Sequence, residues 1–269
     1  MRLIRRLPAL FIVLILSLAV LSASASSFPE ATATPEPVRI PEAVSDPPEV
    51  ILNMVDIAYA EWEAVDGKKL PKSNKYTQIF NPDQWGWCAG FTSWCALKAD
   101  VPRADRNAVM KMPEGESEPV FTCFTTSPGK YLRAFQHMHR TTMIPQKGYW
   151  ILFGERTNFT VHIGLVYNVE KLENGKYRLT TIEGNMKSTV MMYLADYEPV
   201  DVYYEQHRRP SVSNLTVIPE EERILEEKKN LSYRLRISDI DGTDWYVTCF
   251  LMTWIPEDDF TVVDEEVSP

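Results

Sequence analysis

Five strand-like runs follow one another with only short links: Tyr149–Phe153, Val161–Val169, Tyr177–Glu183, Thr189–Leu194 and Val200–Tyr204. Links this short favour antiparallel neighbours over crossover connections. Helical patterns precede them. Glu49 to about Val65 places Ile51, Val55, Ala58 and Trp62 on one face, and Asp66-Gly67 ends it. A second helix is predicted from Cys88 to about Ala99, led in by Trp85-Gly86 and stopped before Pro102, with Phe91, Trp94, Cys95 and Leu97 apolar. A third starts with Ser127 as N-cap and Pro128 at the first helical position, and runs to about His139. It turns Tyr131, Leu132, Phe135 and Met138 inward. Residues 68–84 and 103–126 read as loop and irregular chain. Helices first and strands after describe an α+β domain, with helices packed on an antiparallel sheet.

The flanks read differently. Arg2, Arg5 and Arg6 lead an apolar run from Leu7 to Leu21, and Ala23-Ser24-Ala25 supplies small residues for cleavage. Residues 1–25 are therefore expected to be a signal peptide, and the chain to be secreted without stable membrane insertion after cleavage. Residues 26–48 are Pro-rich and read as an extended linker. Residues 49–210 hold the predicted domain, and 211–269 form a C-terminal extension. In it, Pro219–Lys229 reads as a charged helix, and Tyr233–Ile237 and Trp245–Trp254 as strands about an Asp241-Gly242 turn. These strands would extend the sheet or form a small module. Asp239, Asp241 and Asp244 lack the rest of a calcium loop and read as turn residues.

Formal charge is -9, and losing the first 25 residues takes it to about -12. That argues against nucleic acid as a partner. A monomer is expected. The four cysteines Cys88, Cys95, Cys123 and Cys249 contain no CxxC pair, so no structural metal site is expected. Cys88 and Cys95, on one helix, are separated by about 10.5 Å of rise and cannot pair. A bond among Cys95, Cys123 and Cys249 stays open.

Cys88 begins a helix, where unpaired N–H groups and a positive partial charge favour a thiolate and can hold an oxyanion. His162 lies in the apolar strand Val161–Tyr167, on one face with Gly164, whose missing side chain would leave room for a substrate. Glu183 and Asn185 end the next strand and should share a face. A hairpin centred between Leu172 and Glu173 would put His162 directly opposite Glu183, within reach of a hydrogen bond. A turn on Asn174-Gly175 would shift that pairing. A cysteine, a histidine and a carboxylate in this order supply a nucleophile, a base and the group that orients the base. His137, His139 and His207 have no comparable partner.

Asn74-Lys75-Tyr76, the block Trp87–Ala96, His162–Val166 and Ile182–Asn185 together resemble the CHAP family of cysteine, histidine-dependent amidohydrolases/peptidases, in the NlpC-like, papain-type superfamily. The resemblance covers about residues 50–210. It implies a papain-like fold, Cys88 as nucleophile, His162 as base, Glu183 as orienting carboxylate and Asn185 as a supporting polar residue. It implies a peptidoglycan peptide as substrate and no metal or organic cofactor. Trp85, Trp87 and Trp150 are candidates to line the cleft, with core packing as the competing role. Tyr149 departs from the family, which often carries an acid there, and no wall-binding repeat is recognisable. An inactive wall-binding or surface interaction module on the same scaffold is the alternative expectation.

Overall fold

The computed structural model describes residues 46–80, 86–156, 159–199, 214–226, 231–234 and 245–256. The expected signal peptide, most of the linker, Trp85, His207, the strand at 200–204 and the turn around Asp241 lie outside the described residues.

Helix α1 spans Glu49–Val65 and buries Ile51, Met54, Val55, Ala58 and Trp62. It ends at Asp66, which takes a left-handed conformation at φ 50° before Gly67. Helix α2 spans Cys88–Lys98. The chain from 103 to 126 is more ordered than expected. Strand β1 (Arg103–Asp105) pairs in parallel with β2 (Thr122–Phe124), with a short helix α3 (Arg106–Val109) after β1. Asp105 caps α3 by accepting from the N–H groups of Asn107 and Ala108. Helix α4 spans Pro128–His137, and Tyr131, Leu132, Phe135 and Met138 are buried as the pattern requires. Ser127 sits at its N-cap position but makes no side-chain capping bond.

Among the described residues, the main sheet has eight strands. In chain order these are β3 (Thr141–Thr142), β4 (Trp150–Arg156), β5 (Phe159–Lys171), β6 (Tyr177–Met186), β7 (Thr189–Tyr197), β8 (Leu215–Thr216), β9 (Leu231–Tyr233) and β10 (Tyr246–Leu251). A short helix α5 (Glu220–Arg223) lies between β8 and β9. The order across the sheet is β3-β10-β4-β5-β6-β7-β8. Every pairing in it is antiparallel except β9, which lies parallel to β7. The architecture is α+β with a mostly antiparallel sheet. Helix α2 packs on β5 and β6, and α4 on β5. No described helix is long and apolar enough to cross a membrane.

The C-terminal segment belongs to this sheet. β10 is inserted between β3 and β4, where Val247, Phe250 and Leu251 are fully buried. Just beyond it, Thr253 and Trp254 donate hydrogen bonds to the carbonyls of Gly148 and Lys147, at 2.8 and 3.0 Å. The loop before β4, which carries Tyr149, is thus held by the tail.

Candidate active site

Cys88 is placed by an unusually close seat for the start of α2. Asn74 accepts from the N–H groups of Tyr76 and Thr77 and so fixes a turn. The turn presents the Tyr76 ring, which stacks on Trp87 and meets Phe91 and Trp94 edge-on. A Cβ on Gly90 would lie 2.6 Å from the Tyr76 carbonyl oxygen, and one on Gly184 would overlap Phe91. Glycine at both positions lets α2 settle directly onto the turn and β6. Its N-cap residue, Trp87, supplies no side-chain capping bond to the first N–H groups of the helix.

His162 reaches the site because two strands part there. The β5–β6 ladder runs from Lys171↔Tyr177 to Leu165↔Ile182. Beyond its last pair, the Ile163 backbone N–H bonds to the Cys88 sulfur, as does that of Ala89, while the His162 ring bonds to the same sulfur. The ring lies between Phe153 and Trp245, with centroids 5.7 and 5.9 Å away. Its Nε2 lies 2.9 Å from Glu183 Oε2. With Glu183 ionised, that nitrogen carries the donated proton, which leaves Nδ1 toward the sulfur.

The contact is made in a register other than the expected one. The turn at Leu172–Gly175, with Gly175 at φ 81°, sets Lys171 against Tyr177. Continued unbroken, that register would place His162 and Glu183 on opposite faces. A bulge at Tyr167 shifts the ladder by one residue between Val166↔Thr181 and Asn168↔Thr180. Glu183 then lies across from Gly164 and diagonal to His162 on the same face. A Cβ on Gly164 would stand 2.5 Å from Glu183 Cγ. The room left by that glycine is therefore filled by the carboxylate, not reserved for substrate.

Asn185 does not continue the face of Glu183. It is the extra residue of a second bulge, between Gly184↔Val190 and Met186↔Thr189, with φ 64°. This breaks the strict alternation, and its amide lies beside Gly86 on the approach to Cys88. Trp150 is fully buried against Tyr131 and Phe135, and Trp87 is buried against Tyr76. Both pack in the core, because β4 faces α4 and Trp87 wedges beneath the first turn of α2. Trp85 lies outside the described residues. All four cysteines are free and buried.

Three further residues join the site. Thr181 Oγ1 donates to Glu183 Oε1 at 2.6 Å. Arg234 pairs with the same oxygen. Trp245 covers the imidazole. Thr181 was legible from alternation, being two residues before Glu183. Arg234 and Trp245 had no local signal, since only the pairing of β9 and β10 brings them here.

The electrostatics follow from these contacts. Burial pushes the Cys88 thiol up, but the His162 bond and charge, with the Ile163 and Ala89 N–H groups, outweigh it and hold the thiol below its ordinary value. Burial pushes His162 down, but Cys88 and Glu183 raise it to about 9. Glu183 is fully buried, yet Arg234, then His162 and Thr181, hold it below the usual carboxylate range. These directions favour a thiolate and an imidazolium, beside a carboxylate and a guanidinium whose charges would cancel along the row. By contrast, burial raises Cys123 and Cys249 to about 12, and neither has such a partner. The site is narrow: Cys88 is 5% exposed and His162 4%. Among the described residues, no cluster of His, Cys, Asp and Glu has the form of a metal site. Comparison of the chain with protein-family models, curated proteins and solved structures finds no match.

Proposed function

We propose that the protein is a thiol hydrolase that cleaves an amide bond, with Cys88 as nucleophile, His162 as base and acid, and Glu183 as orienting carboxylate. The observation that carries this reading is the chain of hydrogen bonds from the Cys88 sulfur through the His162 ring to Glu183 Oε2. In the first half-reaction the sulfur forms a bond to the carbonyl carbon, and the carbonyl oxygen becomes an oxyanion beside the N–H groups at the start of α2. The tetrahedral intermediate collapses by breaking the C–N bond, and His162 gives its proton to the leaving amine. In the second, His162 takes a proton from water, the hydroxide displaces sulfur from the thioester, and a carboxylic acid leaves. Glu183 keeps the ring aimed through both steps.

The substrate class proposed is the peptide of bacterial peptidoglycan, on the resemblance of the Cys88, His162 and Glu183 blocks to CHAP domains. The expected setting is extracellular, at the cell wall. Cys88→Ala is expected to abolish release of new amine groups from purified walls while its thermal unfolding stays cooperative. Mass spectrometry of the wild-type digest would name the bond by its new termini. Wild-type turnover in Cys88→Ala would exclude the mechanism.

The small opening at Cys88 favours a second reading, an exported wall-binding module without turnover. Thiol titration separates the two. A hydrolase alkylates at Cys88 well below the ordinary thiol pKa, whereas a binding module would not.

A further inference from the structure

Beyond Cys88, His162 and Glu183, the geometry points to Arg234 as a positioning residue for the reaction, one that acts through Glu183 and never touches substrate. The inference rests on the hydrolase reading and deepens it. Arg234 follows β9, which runs parallel to β7, and is 2% exposed. Its guanidinium lies between the Phe153 and Tyr193 rings, 4.2 and 4.3 Å from their centroids. Two faces of the fork are thereby covered by aromatic planes, an arrangement that suits a flat, weakly hydrated cation. Its Nη2 forms an ion pair with Glu183 Oε1, the oxygen that does not bond His162, and among the described residues none of its three nitrogens makes a hydrogen bond. The cavity beside it is about 10 Å³, lined by Leu179, Thr181 and Tyr193 among others. That is room for about one water and no substrate.

The two carboxylate oxygens therefore have separate duties. Oε1 is held by Thr181 and Arg234, and Oε2 is left for the imidazole. A carboxylate this deeply buried would otherwise be expensive to keep ionised. Phe153 links the two ends of the row, since one ring lies against both Arg234 and His162. The aromatic sandwich fixes the cation, the cation fixes the carboxylate, and the carboxylate fixes the base.

Removing the cation leaves the row with one surplus negative charge. It must then take up a proton more readily, so its titration moves to higher pH as a whole. The test is the rate of iodoacetamide alkylation of Cys88 in the full chain against pH, read by peptide mass spectrometry. Arg234→Gln is expected to move the acid limb of that profile up by at least about one pH unit. Arg234→Lys keeps the charge but not the fork. It is expected to fold, to shift the limb by a smaller amount, and to lower the alkylation rate at pH 6 at least about threefold. A purely structural role would lower thermal stability and leave the midpoint in place. If Arg234→Gln does not fold, Arg234→Lys decides. A limb and rate indistinguishable from wild type in the folded variants would overturn the inference. A wild-type chain with no low-pH limb would instead sink the hydrolase reading itself.

Discussion

At the scale of single residues, the site is a question of where protons sit. Cys88 and His162 share one proton between the lowered thiol value and about 9. Activity needs that state, so kcat/KM is expected to follow a bell, with its alkaline limb near 9 and its acid limb below the ordinary thiol range. A pH–rate profile on wall fragments checks it. An alkaline limb near the ordinary histidine value of 6.5 would contradict the imidazolium assignment. Linkage gives a second check. Glu183 is held below its ordinary carboxylate value, so its contribution to stability is present above about 4.5 and is lost as pH falls through the folded value, by at most about 1.4 kcal/mol per unit. Urea midpoints across pH would show it. Gly164→Ala belongs here too. Its Cβ would meet Glu183 Cγ at 2.5 Å, so activity is expected to fall at least about tenfold. Assay of the folded variant decides.

At the scale of elements, the site depends on one residue being held out of the ladder. Tyr167 forms the bulge that brings His162 onto the face of Glu183, and its ring stacks on Tyr59 of α1 at 5.2 Å. Deleting Tyr167 is expected to remove the bulge while Val166 stays opposite Thr181, so His162 keeps its place beside Glu183 and low-pH alkylation of Cys88 persists. If alkylation is lost, the register argument fails. The bulge was not legible in the local pattern. Val161–Val169 reads as an ordinary apolar strand, and what holds the extra residue out is a ring on a distant helix. The turn was half legible: Asn174-Gly175 marks it, but the structure spans Leu172–Gly175 and so starts the ladder at Lys171↔Tyr177. The seat of α2 was legible only as a motif. Its physical content is that a Cβ at Gly184 would overlap Phe91. Gly184→Ala is expected to cost about 1–3 kcal/mol, measured by chemical denaturation.

At the scale of the whole molecule, the C-terminal segment is structural. β10 fills the sheet between β3 and β4, Trp254 and Thr253 hold the loop before β4, and Arg234 and Trp245 reach the site. A chain ending at residue 210 would lose the buried Val247, Phe250, Leu251 and Trp254. At about 1.5–3 kcal/mol for each large side chain, that is comparable with the whole margin of an ordinary domain. Such a chain is expected to show no cooperative unfolding transition by circular dichroism.

The sequence by itself determined the local and periodic features: the helices at Glu49, Cys88 and Pro128, the strands from Trp150 to Tyr197, and the chemical identity of the cysteine, histidine and carboxylate. Each follows from side-chain periodicity, caps and turn residues within a few positions of chain. The tertiary structure alone decided the order of strands, the bulge that aligns His162 with Glu183, and the arrival of Arg234 and Trp245. These depend on contacts between stretches far apart in the chain. Their energies come from burial and from paired charges, and neither leaves a periodic trace in the local sequence.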